Sequence, residues 1–293
     1  MSTVAAEGVT RTFGDFTAVD GVDLEVARGE VVGLLGANGA GKTTLIRLLL
    51  GVLRPSSGDV RLFGAPPSAA ERRRVGYVPQ NLGLYRDLTV RENLEFRAEL
   101  FGAEPSDFAR DNPTVVGRIP LGVQRQAAFE AATQHHPELL ILDEPTSGVS
   151  PLARSRLWNV IRAQSESGVA VLVSTHYMDE AEQADRVVIM AGGRVVAAGT
   201  VPEIIGGRSV VEVTADDWPA ALSTVEHDGR VVLLDGRVIR VLGDELTEVR
   251  ADLDRAGISA STRLVPASLN ETLVALSRDA PAGAPARDGE QPA

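Results

Sequence analysis

The chain carries a single lysine, Lys42, and it stands inside Gly36-Ala37-Asn38-Gly39-Ala40-Gly41-Lys42-Thr43-Thr44, a complete G-x-x-x-x-G-K-[ST] pattern. Of 29 strong bases, every other one is arginine. At this position a slim ammonium on a flexible stem must reach phosphate oxygens, where a planar guanidinium would not fit. The pattern also dictates local architecture. A buried strand feeds a tight glycine turn, and the turn opens a helix whose free amides surround an anion. Val31-Val32-Gly33-Leu34-Leu35 supplies the apolar strand, and Thr43 to Leu53 follows with helical periodicity.

With 293 residues and 44% apolar content, the chain has the length for about two domains and enough apolar surface for a sizeable core. It has no uninterrupted apolar run of about 18 residues, and no basic region followed by an apolar stretch at its start. Neither a spanning helix nor a signal peptide is therefore expected, and the chain is expected to be cytosolic. Zero cysteines exclude disulfides and thiol chemistry. A formal charge of -11 disfavours adhesion to nucleic acid or anionic lipid, so membrane association would have to pass through a protein partner.

Further along, Glu138 to Leu142 is an apolar run ending in Asp143-Glu144-Pro145-Thr146, and Val169 to Ser174 is another ending at Thr175-His176. Helical patterns at Ala153 to Ser165 and Met178 to Ala184 alternate with these strands, as in a mostly parallel covered α/β sheet. Ligand groups then collect at the carboxyl ends of the strands. After about Gly207 the texture changes: Val210 to Val213 (strand), Asp217 to Val225 (helix), Arg230 to Leu242 (hairpin turning at Asp235-Gly236), Glu245 to Ala256 (helix), Ile258 to Val265 (strand), Ser268 to Leu276 (helix). The order β-α-β-β-α-β predicts a small α+β ferredoxin-like domain over residues 208–278, after a first domain over 1–207. The Pro, Ala and Gly content from Asp279 onward predicts a disordered tail, 279–293.

The phosphate loop by itself states only that a nucleotide is bound, with Lys42 offsetting charge and the Thr43 hydroxyl able to ligate magnesium. Asp143, ending an apolar strand, suits a carboxylate holding the metal's water shell, and Glu144 beside it would polarise an attacking water. Two acids after a strand also serve as a helix cap, and alone they do not distinguish the two roles.

Taken with Val78-Pro79-Gln80, Leu142-Asp143-Glu144-Pro145-Thr146-Ser147-Gly148 and Ser174-Thr175-His176, the loop closely resembles the nucleotide-binding subunits of ATP-binding cassette transporters, from about Val4 to Gly206. The resemblance implies a P-loop NTPase (RecA-like) core with a helical subdomain at about 81–136, and ATP with Mg2+ as the ligands. Residue by residue, it implies that Gln80 senses magnesium and the γ-phosphate, that His176 contacts the γ-phosphate, and that Phe13 stacks on adenine where tyrosine is commoner. Phe16 is a neighbouring alternative, and burial in a strand would explain either aromatic.

Three features depart from that family. Its Ser-Gly-Gly signature, counted back from Pro137 through the helix at Gln124 to His136, reads Ile119-Pro120-Leu121-Gly122-Val123. Pro120 has no hydroxyl and no N–H, and Leu121 puts a side chain where backbone must approach closely. By resemblance this segment acts in trans on the ATP held by a second subunit. Losing two hydrogen bonds to a charged group, at about 1.5 to 3 kcal/mol each, weakens that contact by several kcal/mol. In the distal loop Ser147-Gly148-Val149-Ser150, Ser150 replaces the family's aspartate; before Pro151 it still caps a helix. Finally, Phe101 to Ile119 is shorter than the family's helical subdomain, which receives the membrane partner.

The residues acting in cis (Lys42, Thr43, Gln80, Asp143, Glu144, His176) are intact, while those offered in trans are altered. The expectation is an ATPase subunit powering a separate transmembrane permease, at the inner face of the membrane, paired with a second cassette subunit that carries a full signature. The closing Pro266-Ala267-Ser268-Leu269-Asn270-Glu271 looks like the tail of bacterial drug-exporter ATPases, and the arginine-rich composition fits a GC-rich bacterium. A nucleotide-gated regulatory subunit with little turnover is the first alternative. The second, a soluble cassette ATPase on DNA or ribosomes, has against it the acidic charge and the lack of coiled-coil insertions.

Overall fold

The computed structural model describes residues 2–110, 112–227, 230–243 and 245–279. Its contacts divide the chain between Val196 and Ala197 into two compact units. In chain order the first contains strands β1 (Ser2–Phe13), β2 (Phe16–Ala27), β3 (Val31–Leu35), β4 (Ser57–Leu62), β5 (Val75–Val78), β6 (Leu139–Asp143), β7 (Ala170–Thr175) and β8 (Arg186–Ala191). Strand β9 (Arg194–Gly199) follows across the division. Helices α1 (Lys42–Leu49), α2 (Ala69–Arg72), α3 (Val90–Phe101), α4 (Asp107–Arg110), α5 (Leu121–Thr133), α6 (Pro151–Glu166) and α7 (Met178–Ala181) lie between them.

The main sheet has the order β5-β6-β7-β3-β8-β9, and its pairings from β5 through β8 are parallel. Its central strands β3, β6 and β7 are apolar up to the polar carboxyl ends of β6 and β7 because both faces are covered. Along β6, Leu139 and Ile141 join the core shared with α1 and the β1–β2 hairpin, whereas Leu140 and Leu142 join the core shared with α5 and α6. The same alternation in β7 sends Leu172 one way and Val171 and Val173 the other. A separate antiparallel sheet, β2-β1-β4, closes the first of these cores.

The expected order of strands and helices is present. The first helix is shorter than the periodicity predicts, ending at Leu49, with Gly51 at φ 65° turning the chain aside. Helix α3 begins at a capping box, in which the Glu92 amide donates to Thr89 Oγ1 (3.1 Å) and the Thr89 amide to Glu92 Oε2 (2.7 Å). In the segment expected as the helical subdomain, Val90 and Leu94 of α3 pack with Ala109, Val116, Ala127 and Ala131 into their own apolar cluster.

The second unit adds α8 (Val201–Ile205), β10 (Ser209–Ala215), α9 (Trp218–Val225), β11 (Val232–Asp235), β12 (Val238–Leu242), α10 (Leu246–Arg255), β13 (Ala260–Pro266) and α11 (Leu269–Asp279). Its antiparallel sheet runs β11-β12-β10-β13, the arrangement that β-α-β-β-α-β connectivity gives when both helices cover one face. Val211, Val213, Ile239 and Val241 of the sheet bury against Ala221 and Val225 of α9 and Val249 and Leu253 of α10. The division falls about ten residues before the boundary expected at 207, because α8 packs on α11 and takes its flanking segment with it. Helix α11 continues through Asp279, so the expected tail begins no earlier than residue 280; residues 280–293 lie outside the described residues.

Candidate functional site

The phosphate-loop pattern occupies the turn from β3 into α1. Gly41, the residue before the helix, has φ 98°, and a Cβ there would lie 2.4 Å from the Ala18 carbonyl of β2. Gly36 is confined in another way: its Cβ would sit 2.5 Å from the Met190 carbonyl. Only glycine permits both the turn and the approach. Between them run Ala37, Asn38, Gly39 and Ala40, and Lys42, Thr43 and Thr44 form the first turn of α1. That helix has no side-chain cap and no acidic residue in its first turn, so its amino-terminal amides and partial positive charge remain for an anion.

Lys42 curls back under the loop, where its Nζ donates to the carbonyls of Gly36 (2.7 Å) and Ala37 (3.1 Å). The ammonium also lies 3.6 Å from Glu144 Oε1. Burial pushes the Lys42 pKa below its ordinary value, and Glu144, then Asp143, partly offset the shift.

Strands β6 and β7 bring the acidic pair to the same end of the sheet. Asp143 closes β6; its Oδ2 accepts from Thr43 Oγ1 (2.9 Å) and its Oδ1 from Ser174 Oγ (2.5 Å). Glu144 follows in a left-handed conformation, φ 49°, which a non-glycine residue adopts only where its surroundings hold it. Its amide donates to Ser174 Oγ (3.0 Å) and to the Ser174 carbonyl (3.2 Å). The carboxylate is thereby turned toward Lys42. Beyond β5, Gln80 Nε2 reaches within 3.5 Å of Glu144 Oε2, and beyond β7, His176 Nδ1 lies 3.4 Å from the same oxygen without a hydrogen bond.

Lys42, Thr43, Gln80, Asp143, Glu144 and His176, scattered over 135 positions in sequence, thus converge at the carboxyl ends of β3, β5, β6 and β7. The oxygen donors of Thr43 and Asp143 suit a hard divalent cation of the magnesium type. No cluster of three His, Cys, Asp or Glu able to cage a metal exists among the described residues. A magnesium ion here would complete its shell with phosphate and water oxygens, as such ions do.

Phe13 and Phe16 face each other at the tip of the β1–β2 hairpin, 42% and 39% exposed. Burial therefore does not account for either. The Arg11 guanidinium stacks on the Phe13 ring at 4.5 Å.

The altered segment Ile119 to Val123 leads into α5. Pro120 stands at its amino-terminal cap with no side-chain hydrogen bond, and its carbonyl receives the amides of Val123 (2.9 Å) and Gln124 (3.1 Å). Leu121 is 39% exposed, and its Cδ2 would lie 3.3 Å from a Cβ placed on Gly148 of the distal loop. The surface is apolar and lacks the hydroxyl. Ser150 caps α6, its Oγ accepting from the Ala153 amide (3.4 Å) with Pro151 in the first turn.

Several supporting residues were not legible from the sequence. Ser174 bridges both acids. Glu180 is fully buried, accepting from Thr175 Oγ1 (2.7 Å) and from Thr146 Oγ1, and it pairs with Arg154 (3.1 Å). Arg125 of α5 reaches three main-chain carbonyls of the turn after β6. Such roles depend on burial and on contacts between distant segments, which no local pattern encodes.

Residues 19–147 match the family model described as ABC transporter. The chain is 38% identical over 217 residues to the probable multidrug ABC transporter ATP-binding protein YbhF of Escherichia coli (strain K12), covering 69% of this chain and 38% of that longer protein. It is 36% identical over 304 residues to the daunorubicin resistance ATP-binding protein DrrA3 of Streptomyces coeruleorubidus, covering 94% of this chain and 96% of that one. Among solved structures, an ATP binding subunit of an ABC transporter superimposes with a TM-score of 0.64 at 29% identity, over 69% of this chain and 92% of its own.

Proposed function

The chain belongs to the ABC transporter ATP-binding family, and from that premise we propose that it binds and hydrolyses ATP to drive a separate membrane permease, in the direction of export. The observation that carries this reading is the convergence of Lys42, Thr43, Asp143, Glu144, Gln80 and His176 beside the phosphate loop. The names of YbhF, a multidrug transporter protein, and DrrA3, a daunorubicin resistance protein, favour the direction. No helix among the described residues is long and apolar enough to cross a membrane.

In this mechanism the loop amides and the start of α1 hold the phosphates, and Lys42 exchanges part of its contact with Glu144 for the terminal phosphate oxygens. Thr43 and Asp143, with Gln80 alongside, would hold magnesium, which when bound neutralises charge on the phosphates. Glu144 orients water in line with the γ-phosphate. His176 and Lys42 stabilise the negative charge that spreads over the transferred group. Phe13, exposed at its hairpin tip, takes the adenine ring.

The trans surface supports an asymmetric pair. With Pro120 and Leu121 in place of a hydroxyl and a bare backbone, two copies of this chain would make two weakened sites. A partner cassette with an intact signature would complete the site that contains this chain's Glu144. The altered signature equally favours a nucleotide-gated regulatory subunit; the complete set of cis residues favours turnover. The test compares ATPase rates of the purified chain alone and mixed with a cassette subunit bearing an intact signature. Activation by the partner supports the asymmetric pair, and fast cooperative hydrolysis by the chain alone overturns it.

A further inference from the structure

We propose that Arg125 is a positioning residue for Glu144, tying the altered amino terminus of α5 to the hydrolytic carboxylate of the same subunit. The inference rests on the hydrolytic reading of Glu144 and extends it to how that carboxylate is set.

Arg125 lies one turn into α5, on the face turned away from solvent. Its Nη1 donates to the Glu144 carbonyl (3.1 Å) and to the Pro145 carbonyl, and its Nη2 to the Ser147 carbonyl. Its partners are main-chain oxygens instead of a carboxylate. Burial lowers its pKa from the ordinary value, with Glu180 and Glu144 partly opposing the shift. A buried guanidinium is costly to keep, and here its rigid fork is spent on the backbone of one turn.

That turn is the one in which Glu144 holds φ 49°. The Ser174 bonds fix the Glu144 amide from one side, and Arg125 fixes the carbonyls from the other. Both peptide planes flanking the Glu144 Cα are therefore restrained, and with them the direction in which its side chain leaves the main chain. Helix α5 touches the same turn a second time, where Leu121 abuts Gly148. A displacement of the α5 amino terminus by a partner cassette would reach Glu144 through Arg125 over a single side chain. This gives the altered signature a role in cis that the loss of its trans hydrogen bonds leaves intact.

The test uses the full-length chain and three measurements on Arg125→Gln and Arg125→Lys: MgATP affinity by calorimetry, single-turnover hydrolysis with protein in excess and a cassette subunit bearing an intact signature present, and thermal midpoint. For Arg125→Gln the expected result is a loss of about 100-fold in the single-turnover rate. Affinity should remain within about threefold of wild type. Arg125→Lys should recover part of the rate, because an ammonium still donates but cannot span the carbonyls as a fork. A role confined to packing predicts that affinity and rate fall together, with glutamine and lysine alike. That pattern, or an undiminished rate in folded Arg125→Gln, overturns the proposal. Should Arg125→Gln fail to fold, a wild-type rate in Arg125→Lys overturns it instead. If the wild-type chain hydrolyses nothing even beside a cassette subunit bearing an intact signature, the functional reading fails and Arg125 is judged separately, from crystal structures of wild type and variant. A shift of the Glu144 carboxylate of about 1 Å or more then supports the tie, and an unmoved carboxylate overturns it.

Discussion

The Lys42 ammonium and the Glu144 carboxylate face each other across 3.6 Å, both buried, although one opens α1 and the other follows β6, 102 positions apart. At that distance removing either charge alters the electrostatics of the remaining one.

Substitutions at the two positions should nevertheless separate. Lys42→Ala removes the ammonium of the phosphate loop and should weaken MgATP binding by tenfold or more, on the order of 1.5 to 3 kcal/mol for a charged hydrogen bond. Glu144→Gln keeps shape and hydrogen bonding and should retain binding while lowering turnover by about 100-fold or more. Calorimetry and phosphate release on the two proteins distinguish these outcomes; wild-type turnover in Glu144→Gln removes Glu144 from its role.

Repair of the trans surface is a gain-of-function prediction. Pro120→Ser with Leu121→Gly restores a hydroxyl and a bare backbone at the start of α5, where Pro120 now offers no side-chain bond. The double variant alone should form an ATP-dependent dimer and hydrolyse at least about tenfold faster than wild type, given the several kcal/mol at stake. Sedimentation with and without ATP, beside a rate assay, gives the answer. No change in either measurement would mean that the segment is not what limits closure.

Ser174 is fully buried, donating to Asp143 Oδ1 (2.5 Å) while accepting from the Glu144 amide (3.0 Å). Ser174→Ala strands a buried carboxylate oxygen and leaves the Glu144 amide only the main-chain carbonyl of residue 174 (3.2 Å), at an expected cost of about 1 to 3 kcal/mol in stability. The magnesium concentration needed for half-maximal ATPase should rise, since Asp143 loses one of its two restraints. A melting curve and a magnesium titration identical to wild type would contradict the assignment.

The carboxyl-terminal unit should show acid sensitivity of its own. Arg230 holds Asp252 below the usual carboxylate range through a 2.7 Å bond. At Glu271, burial works in the opposite direction, yet hydrogen bonds from Ser268 and the Arg240 guanidinium (2.5 Å) leave its pKa lowered. A carboxylate whose folded pKa is depressed contributes stability that is complete above its unfolded value, about 4, and lost as pH falls through the folded value. Arg240→Met should therefore destabilise the unit at neutral pH and flatten the loss of melting temperature below about pH 4. Parallel curves for variant and wild type across that range would refute the coupling.

What the sequence determined by itself was the chemistry that local pattern carries. Gly36 through Thr44 dictates strand, turn and helix in consecutive residues, and the apolar runs ending at Asp143 and at Thr175-His176 declare buried strands with polar ends. The second unit was legible for the same reason, since its strands and helices alternate in the order that its sheet requires. The tertiary structure alone decided which of those ends meet. Strand order β5-β6-β7-β3 brings Gln80, Glu144, His176 and Lys42 together at one end of the sheet, and that order is fixed by how both faces of the sheet are buried, a property of the whole chain. It alone decided that Phe13 is exposed and that Ser174 joins the two acids. It also turned an arginine on an ordinary helix, Arg125, inward onto a distant turn. Periodicity records which face of an element is apolar; it does not record which polar group will be buried against it, because the free energy of that group depends on partners that are neighbours only in space.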